Sequence, residues 1–255
     1  MAVALCVTTF NRQDLLAGML ASVFAGTVRP DALYLIDQAQ RADLLISALA
    51  HVPAGCPIML VDLGTRRGCE ASAINWYLSR VAEDRIIAHE DIVFAPTSLE
   101  RFLAAPDDFV IDDSLGLMRY RDRCAAEVGG YDLAISPNYF RYVDVDYEDR
   151  LALAGIHPAV VACGVSHLCN GTMKGYTDAT IGEYHRRHEI ARVNYEAKWR
   201  REVTFGGNTI GRGAWRQQHT YEFLRLCDRV DWRGQLRAPL QPWPDAVTLQ
   251  AAAHA

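Results

Sequence analysis

No stretch of this chain approaches the ~20 consecutive apolar residues that a membrane-spanning helix needs, so any membrane contact would be peripheral. No Cys-x-x-Cys pair occurs among the seven cysteines (6, 56, 69, 124, 163, 169 and 227). Their odd number, with no signal-peptide pattern at the N-terminus, points to reduced thiols in a cytosolic protein. Cys163, His167 and Cys169 match no usual zinc spacing and lack an evident fourth ligand, so buried structural cysteine is the reading there. Strong charge is lacking too. A formal charge of −5 excludes broad electrostatic binding to nucleic acid and leaves only local basic patches, HRRH at 185–188 and KWRR at 198–201. There is no internal repeat or low-complexity block. With 50% hydrophobic and 22% charged residues the composition is that of a folded globule, not a disordered chain. Its 255 residues suffice for one large α/β domain, or a domain with a helical appendage.

The first half alternates regularly. AVALCVTTF is an apolar, β-branched strand, and NRQD opens a helix through LLAGMLASVFAG. ALYLID is a second strand ending on Asp37, ADLLISALAHV a second helix and PIMLVDL a third strand. The loop GTRRG leads into the amphipathic CEASAINWYLSRVA, and RIIAHED is a fourth strand. Such alternation predicts a parallel sheet with helices on both faces, whose ligands bind outside the carboxyl ends of the strands. Thr8, Asp37, Arg67 and Asp91 fall at that edge. The second half is less regular: LERFLAA a short helix, GLMRYRD a strand, CAAEVGGYD a helix, VVACGVSH a strand, and 180–199 a surface helix with a solvated face and a buried Tyr195–Trp199 pair at i, i+4. Beyond it lie a Gly-rich connector, a last helix YEFLRLCDRV, and a weakly ordered tail with three prolines.

The segment FRYVDVDYEDRLALAGI (140–156) crowds Asp144, Asp146, Glu148 and Asp149 into six positions before an apolar helical pattern. Clustered carboxylates repel one another unless a cation, a helix N-terminus or a proton-transfer task uses them. One or two acids would satisfy a helix start; four exceed that need, although all could simply decorate it. A second acidic turn, His89-Glu90-Asp91, follows the apolar Ile86-Ile87-Ala88, and His167 follows the apolar PAVVACGVS. Two acidic turns and a histidine at strand ends suggest a metal-assisted active site.

In order and spacing, six short segments over residues 3 to 200 resemble the inverting family-two glycosyltransferases of the GT-A fold. They are VTTFNR at 7–12, Asp37, RRGCEASAINWYL at 66–78, HEDIVFAPTSLERFL, GGYDLAI and YVDVDYEDRLALAG. The resemblance implies a Rossmann-like, mostly parallel sheet with helices on both faces and a C-terminal helical extension. It divides the chain into a nucleotide-sugar half (about 1–95), an acceptor half (about 96–200) and an extension (201–255). It also implies transfer of a sugar from a nucleotide-sugar, with a UDP-sugar the expected donor, to a carbohydrate or small-molecule hydroxyl.

For the site, Asp91 matches the last acid of the family's Asp-x-Asp motif and would hold Mn²⁺ or Mg²⁺ at the departing diphosphate. His89 stands where the family usually has Asp, with Glu90 in the middle; both are placed among the nucleotide-sugar contacts, with metal, ribose, phosphate or neither left open for His89. A histidine ligand would favour Mn²⁺. His167 resembles a metal-binding histidine of some members; a strand-end histidine bonded to backbone is the plain alternative. Asp144 aligns with the base that deprotonates the acceptor, with Asp146 as a second candidate or a helix cap, and Arg150 pairs with one of the acids. Asp37 would accept from the base, Thr8 and Phe10 would bracket it, and Arg12 and Arg67 would reach base or diphosphate. Asn75 lines the nucleotide pocket in this comparison or merely caps its helix, and Trp76 reads as core. GTMKGY at 171–176 would close over bound donor. Two other classes compete: a sugar-phosphate nucleotidylyltransferase, which would want a Gly-rich basic loop where VTTFNRQD stands, and a non-catalytic domain binding nucleotide-sugar or a protein partner.

Overall fold

The computed structural model describes residues 3–9, 12–37, 42–62, 70–81, 84–136, 142–168, 178–199 and 247–250. Strands β1 (Val3–Thr9), β2 (Ala32–Asp37), β3 (Ile58–Asp62) and β4 (Asp84–His89) are mutually parallel, in the order β3-β2-β1-β4. Helices α1 (Gln13–Phe24), α2 (Ala42–Leu49) and α3 (Glu70–Arg80) connect them. Side chains alternate across a strand, and β1 shows the result: Val3, Leu5 and Val7 join one buried cluster, Ala4 and Cys6 the other. The first cluster contains Leu16, Met19, Leu20 and Val23 of α1; the second contains Ala71, Ala73, Ile74, Trp76 and Tyr77 of α3. The sheet is thus covered on both faces, which is why its strands read as apolar runs.

Beyond β4 the geometry departs from simple alternation. β7 (Leu117–Tyr120) pairs antiparallel with β4, β6 (Phe109–Asp112) antiparallel with β7, and β8 (Ala159–Val161) parallel with β6. At the opposite edge β10 (Val247–Gln250) pairs antiparallel with β3, so part of the tail expected to be weakly ordered completes an eight-stranded sheet. Two expected strands are broken. RIIAHED ends as β4 at His89, turns at Glu90 and Asp91, and resumes as β5 (Ile92–Phe94). VVACGVSH is divided into β8 and β9 (Val165–His167), because Gly164 adopts φ +85° between them. The break lets β9 leave the main sheet and pair antiparallel with β5.

Helices α4 (Ser98–Leu103), α5 (Asp122–Val128), α6 (Val143–Leu153) and α7 (Asp178–Trp199) complete the described elements. α7 is the expected surface helix with a buried Tyr195–Trp199 pair, and Ala191 joins that stripe in the cluster that also holds Val143, Val145, Tyr147 and Leu151 of α6. No helix among the described residues is long and apolar enough to cross a membrane. The connector and the YEFLRLCDRV helix expected after Phe205 lie outside the described residues.

Candidate metal and nucleotide-sugar site

Parallel register places several expected residues on one edge. Thr8 is the partner of His89, Thr9 of Asp37, and Asp37 of Asp62, so all stand at the carboxyl ends of the central strands. Asp37 is buried. The turn after β4 then divides its two acids: Glu90 is buried and accepts a hydrogen bond from the Thr9 hydroxyl, while Asp91 meets His167. Glu90 thereby ties the turn to the end of β1. Arg12, just before α1, forms a two-point pair with Asp14 (2.8 and 2.7 Å). That pair, helped by the charges of Glu90 and Asp91, keeps the guanidinium pKa above its ordinary value, so Arg12 lies within the field of the acidic turn.

His89, Asp91 and His167 form a cluster whose donor atoms all lie within 4.8 Å of one another. The β5–β9 ladder makes the meeting: Ile92 is the partner of His167, and the Leu168 N–H donates to the Asp91 carbonyl at 2.8 Å. His167 Nε2 faces Asp91 Oδ1 at 3.0 Å, and its Nδ1 faces the Ser114 carbonyl at 3.0 Å. A carbonyl only accepts, so Nδ1 carries a proton, and a neutral ring then turns its Nε2 lone pair towards a carboxylate oxygen. Two acceptors at that distance require something positive between them, a proton or a cation. A histidine whose second nitrogen is fixed by a backbone carbonyl is the usual arrangement of a metal ligand, and the donor set fits a divalent ion. Burial raises the Asp91 pKa, but the bond from His167 and the charges of His167 and His89 outweigh it and hold the carboxyl below its ordinary value.

The support under His167 was not legible in sequence. Ser114 lies in the turn between β6 and β7, which Asp112 ties together by accepting from the N–H groups of Ser114 (2.8 Å) and Leu117 (2.5 Å) and from the Ser114 hydroxyl. Gly116, in the same turn, accepts the His89 N–H at 3.0 Å. A Cβ added to Gly116 would stand 2.4 Å from Ile92 Cγ2 and 3.6 Å from the His167 ring. Gly116→Ala is therefore expected to cost about 1–3 kcal/mol by overpacking and to displace the β5–β9 pair. A lowered urea midpoint together with weakened metal binding checks this.

The four acids of α6 have unequal surroundings. α6 starts at Tyr142, a non-glycine residue at φ +66°, and no side chain caps it, so Asp146 is not the cap. Asp146 is fully buried; its carboxylate meets Arg150 Nε (2.9 Å), Trp199 Nε1 (2.9 Å) and Lys198 Nζ (2.6 Å). Arg150, as expected, pairs with one of the acids, and its remaining N–H groups donate to the carbonyls of Val128 (2.6 Å) and Gly130 (2.7 Å). Removing Arg150 strips buried Asp146 of one of its two counterions, leaving only Lys198, and leaves the Val128 and Gly130 carbonyls without their donors. Arg150→Ala should thus destabilise by about 3–5 kcal/mol, read from denaturant unfolding. Asp149 accepts from the Tyr195 hydroxyl, and Glu148 is 2% exposed. Asp144, in the first turn, is the most accessible of the four at 8%.

Asn75 is fully buried, its amide donating to the Tyr131 carbonyl (2.9 Å) and accepting from the Tyr131 N–H (2.6 Å). That is a clamp between α3 and the Gly129–Gly130 turn, in place of the expected pocket or cap role. Trp76 is core, as expected. Phe10, Arg67 and the GTMKGY loop lie outside the described residues.

No protein-family model matches the sequence, and no curated protein matches it either. Solved structures do match in shape. The mannosyltransferase PcManGT of Pyrobaculum calidifontis, solved with GDP-Man and Mn²⁺, aligns over 89% of this chain and 74% of its own, at 15% identity and TM-score 0.54. Glucosyl-3-phosphoglycerate synthase of Mycobacterium tuberculosis, solved with Mn²⁺, UDP and glucosyl-3-phosphoglycerate, aligns over 80% and 82%, at 12% identity and TM-score 0.53. TarS of S. aureus, solved with UDP, aligns over 91% and 73%, at 11% identity and TM-score 0.53. At these identities the likeness establishes the fold: the chain has the GT-A architecture.

Proposed function

We propose that this protein is a metal-dependent glycosyltransferase that moves a sugar from a nucleoside-diphosphate sugar, a UDP-sugar first among them, to an acceptor hydroxyl. The observation that carries the reading is the convergence of Asp91 and His167 at the carboxyl edge of a GT-A sheet, where donor diphosphates bind in that architecture. Bound there by Asp91 and His167, a divalent cation would offset the charge that builds on the diphosphate as it leaves.

The chain's own groups supply the rest. Asp37, at the end of β2, accepts from the base, and Thr8 lies beside it on the same edge. Arg12, in the field of the acidic turn, swings from Asp14 to the diphosphate, a change of partner that a surface pair permits at small cost. Asp144 takes the acceptor proton as the hydroxyl oxygen attacks the anomeric carbon from the face opposite the diphosphate, whose bond to that carbon breaks as the new one forms, a single displacement that inverts the configuration. Asp146, the other candidate base, is held by Arg150, Trp199 and Lys198 and serves instead to fix α6.

The test is nucleotide release on mixing the protein with a panel of nucleotide-sugars and Mn²⁺. Metal-dependent UDP or GDP release, rising with an acceptor, is the expected result. Binding without release would leave a nucleotide-sugar-binding domain, and release of pyrophosphate from a nucleoside triphosphate and a sugar phosphate would mark a nucleotidylyltransferase.

A further inference from the structure

We infer that His89 is a third protein ligand of the cation, so that the protein binds a first-row divalent ion, Mn²⁺ first among them, before any nucleotide arrives and in preference to Mg²⁺. This rests on the metal centre proposed above, but not on the transfer reaction. It assigns to the metal a residue that the sequence leaves among metal, ribose, phosphate and neither.

Three observations support it. First, His89 belongs to the same donor cluster as Asp91 and His167, within 4.8 Å. Ligands about 2.1 Å from a shared ion stand roughly 3–4 Å apart, so small side-chain rotations close the set onto one cation. The His89 and His167 rings already meet edge to face, with centroids 5.2 Å apart at 78°. Second, each ligand is fixed by backbone. The His89 N–H donates to Gly116, the Asp91 carbonyl accepts from Leu168, and the His167 Nδ1 faces Ser114, so three strand ends and one turn set the geometry without a ligand. A site held in place beforehand loses little freedom on binding, which raises affinity. Third, the donor set is two imidazole nitrogens and one carboxylate. Mg²⁺ prefers oxygen and keeps its water, whereas imidazole suits first-row transition ions. A site with one carboxylate and one histidine would leave most of the binding to the nucleotide's phosphates; a third protein donor removes that dependence.

The experiment uses the full chain, free of nucleotide, titrated with Mn²⁺ and followed by electron paramagnetic resonance. The expected result is saturable binding of one Mn²⁺ per chain that excess Mg²⁺ does not displace, with electron spin-echo modulation showing two coordinated nitrogens. His89→Asn should show a single coordinated nitrogen and bind Mn²⁺ at least roughly tenfold more weakly, the loss that even an outer-shell change produces. Circular dichroism melting confirms that the variant is folded, and the nitrogen count in the wild-type protein stands whether or not it is. A single nitrogen in the wild type, or Mn²⁺ binding only in the presence of UDP, would overturn the inference. The outcomes separate from those of the transferase reading. Two nitrogens with no turnover of any nucleotide-sugar would sink the transfer reaction and keep His89 as ligand; turnover with one nitrogen would do the reverse.

Discussion

Asp144→Asn is expected to lower sugar transfer by about 10²–10⁴-fold, the range over which a positioned general base acts, while donor and metal binding stay as they are. The substitution keeps shape and removes only the ability to take a proton. Its neighbours along α6 cannot readily substitute: Asp146 is buried against Arg150, Lys198 and Trp199, Asp149 accepts from Tyr195, and Glu148 is 2% exposed. The loss should fall on kcat, with the donor KM little changed, because the base acts only as the acceptor oxygen attacks. Normal turnover by Asp144→Asn would mean that the proton leaves by another route and that the alignment of the acidic segment misassigns the base.

Asp91→Asn should abolish the response to metal. Wild-type protein with Mn²⁺ at 100 times its dissociation constant gains about 2.7 kcal/mol of stability, which a thermal shift resolves readily. The variant should gain nothing measurable and should release no nucleotide from donor. The fold should survive, since an amide N–H at this position can donate across the 3.0 Å gap to His167 Nε2 and replace the missing positive charge with a hydrogen bond. The apo variant should therefore melt near the wild-type temperature. Unchanged metal stabilisation in Asp91→Asn would place the cation elsewhere.

The first half was largely readable from sequence because buried parallel strands must be apolar throughout and their helices must show one apolar stripe. Thr8, Asp37 and Asp91 reach the carboxyl edge as strand–helix alternation requires. The second half was less legible for a physical reason. β5, β8 and β9 have three residues each and β6 only four, too few for a period to show. The division of VVACGVSH depends on one left-handed glycine, Gly164, whose backbone angle no pattern states. The tail strand β10 is equally short.

Within the site, a motif could point to Asp91 and His167, but not to what holds them. Ser114, Gly116 and Asp112 act through the turn of the β6–β7 hairpin, and that turn meets His167 across 53 residues of sequence. Asn75 stands at the place of a pocket-lining Asn in the family segment it resembles; its side chain faces Tyr131 instead. His89 was read by its place in a motif, and only the fold showed it beside His167. Thr9, which holds Glu90 and through it the acidic turn, could have been suspected from its position at the end of β1.

The most direct measurement is calorimetric titration of UDP and GDP into the protein, with Mn²⁺ and after chelation, repeated on Asp91→Asn. Three separate strand ends gathered around one cation and a diphosphate predict binding of at least one nucleotide that needs Mn²⁺ and disappears in the variant. Nucleotide binding of equal strength without metal and in Asp91→Asn, or no nucleotide binding under any condition, would contradict it.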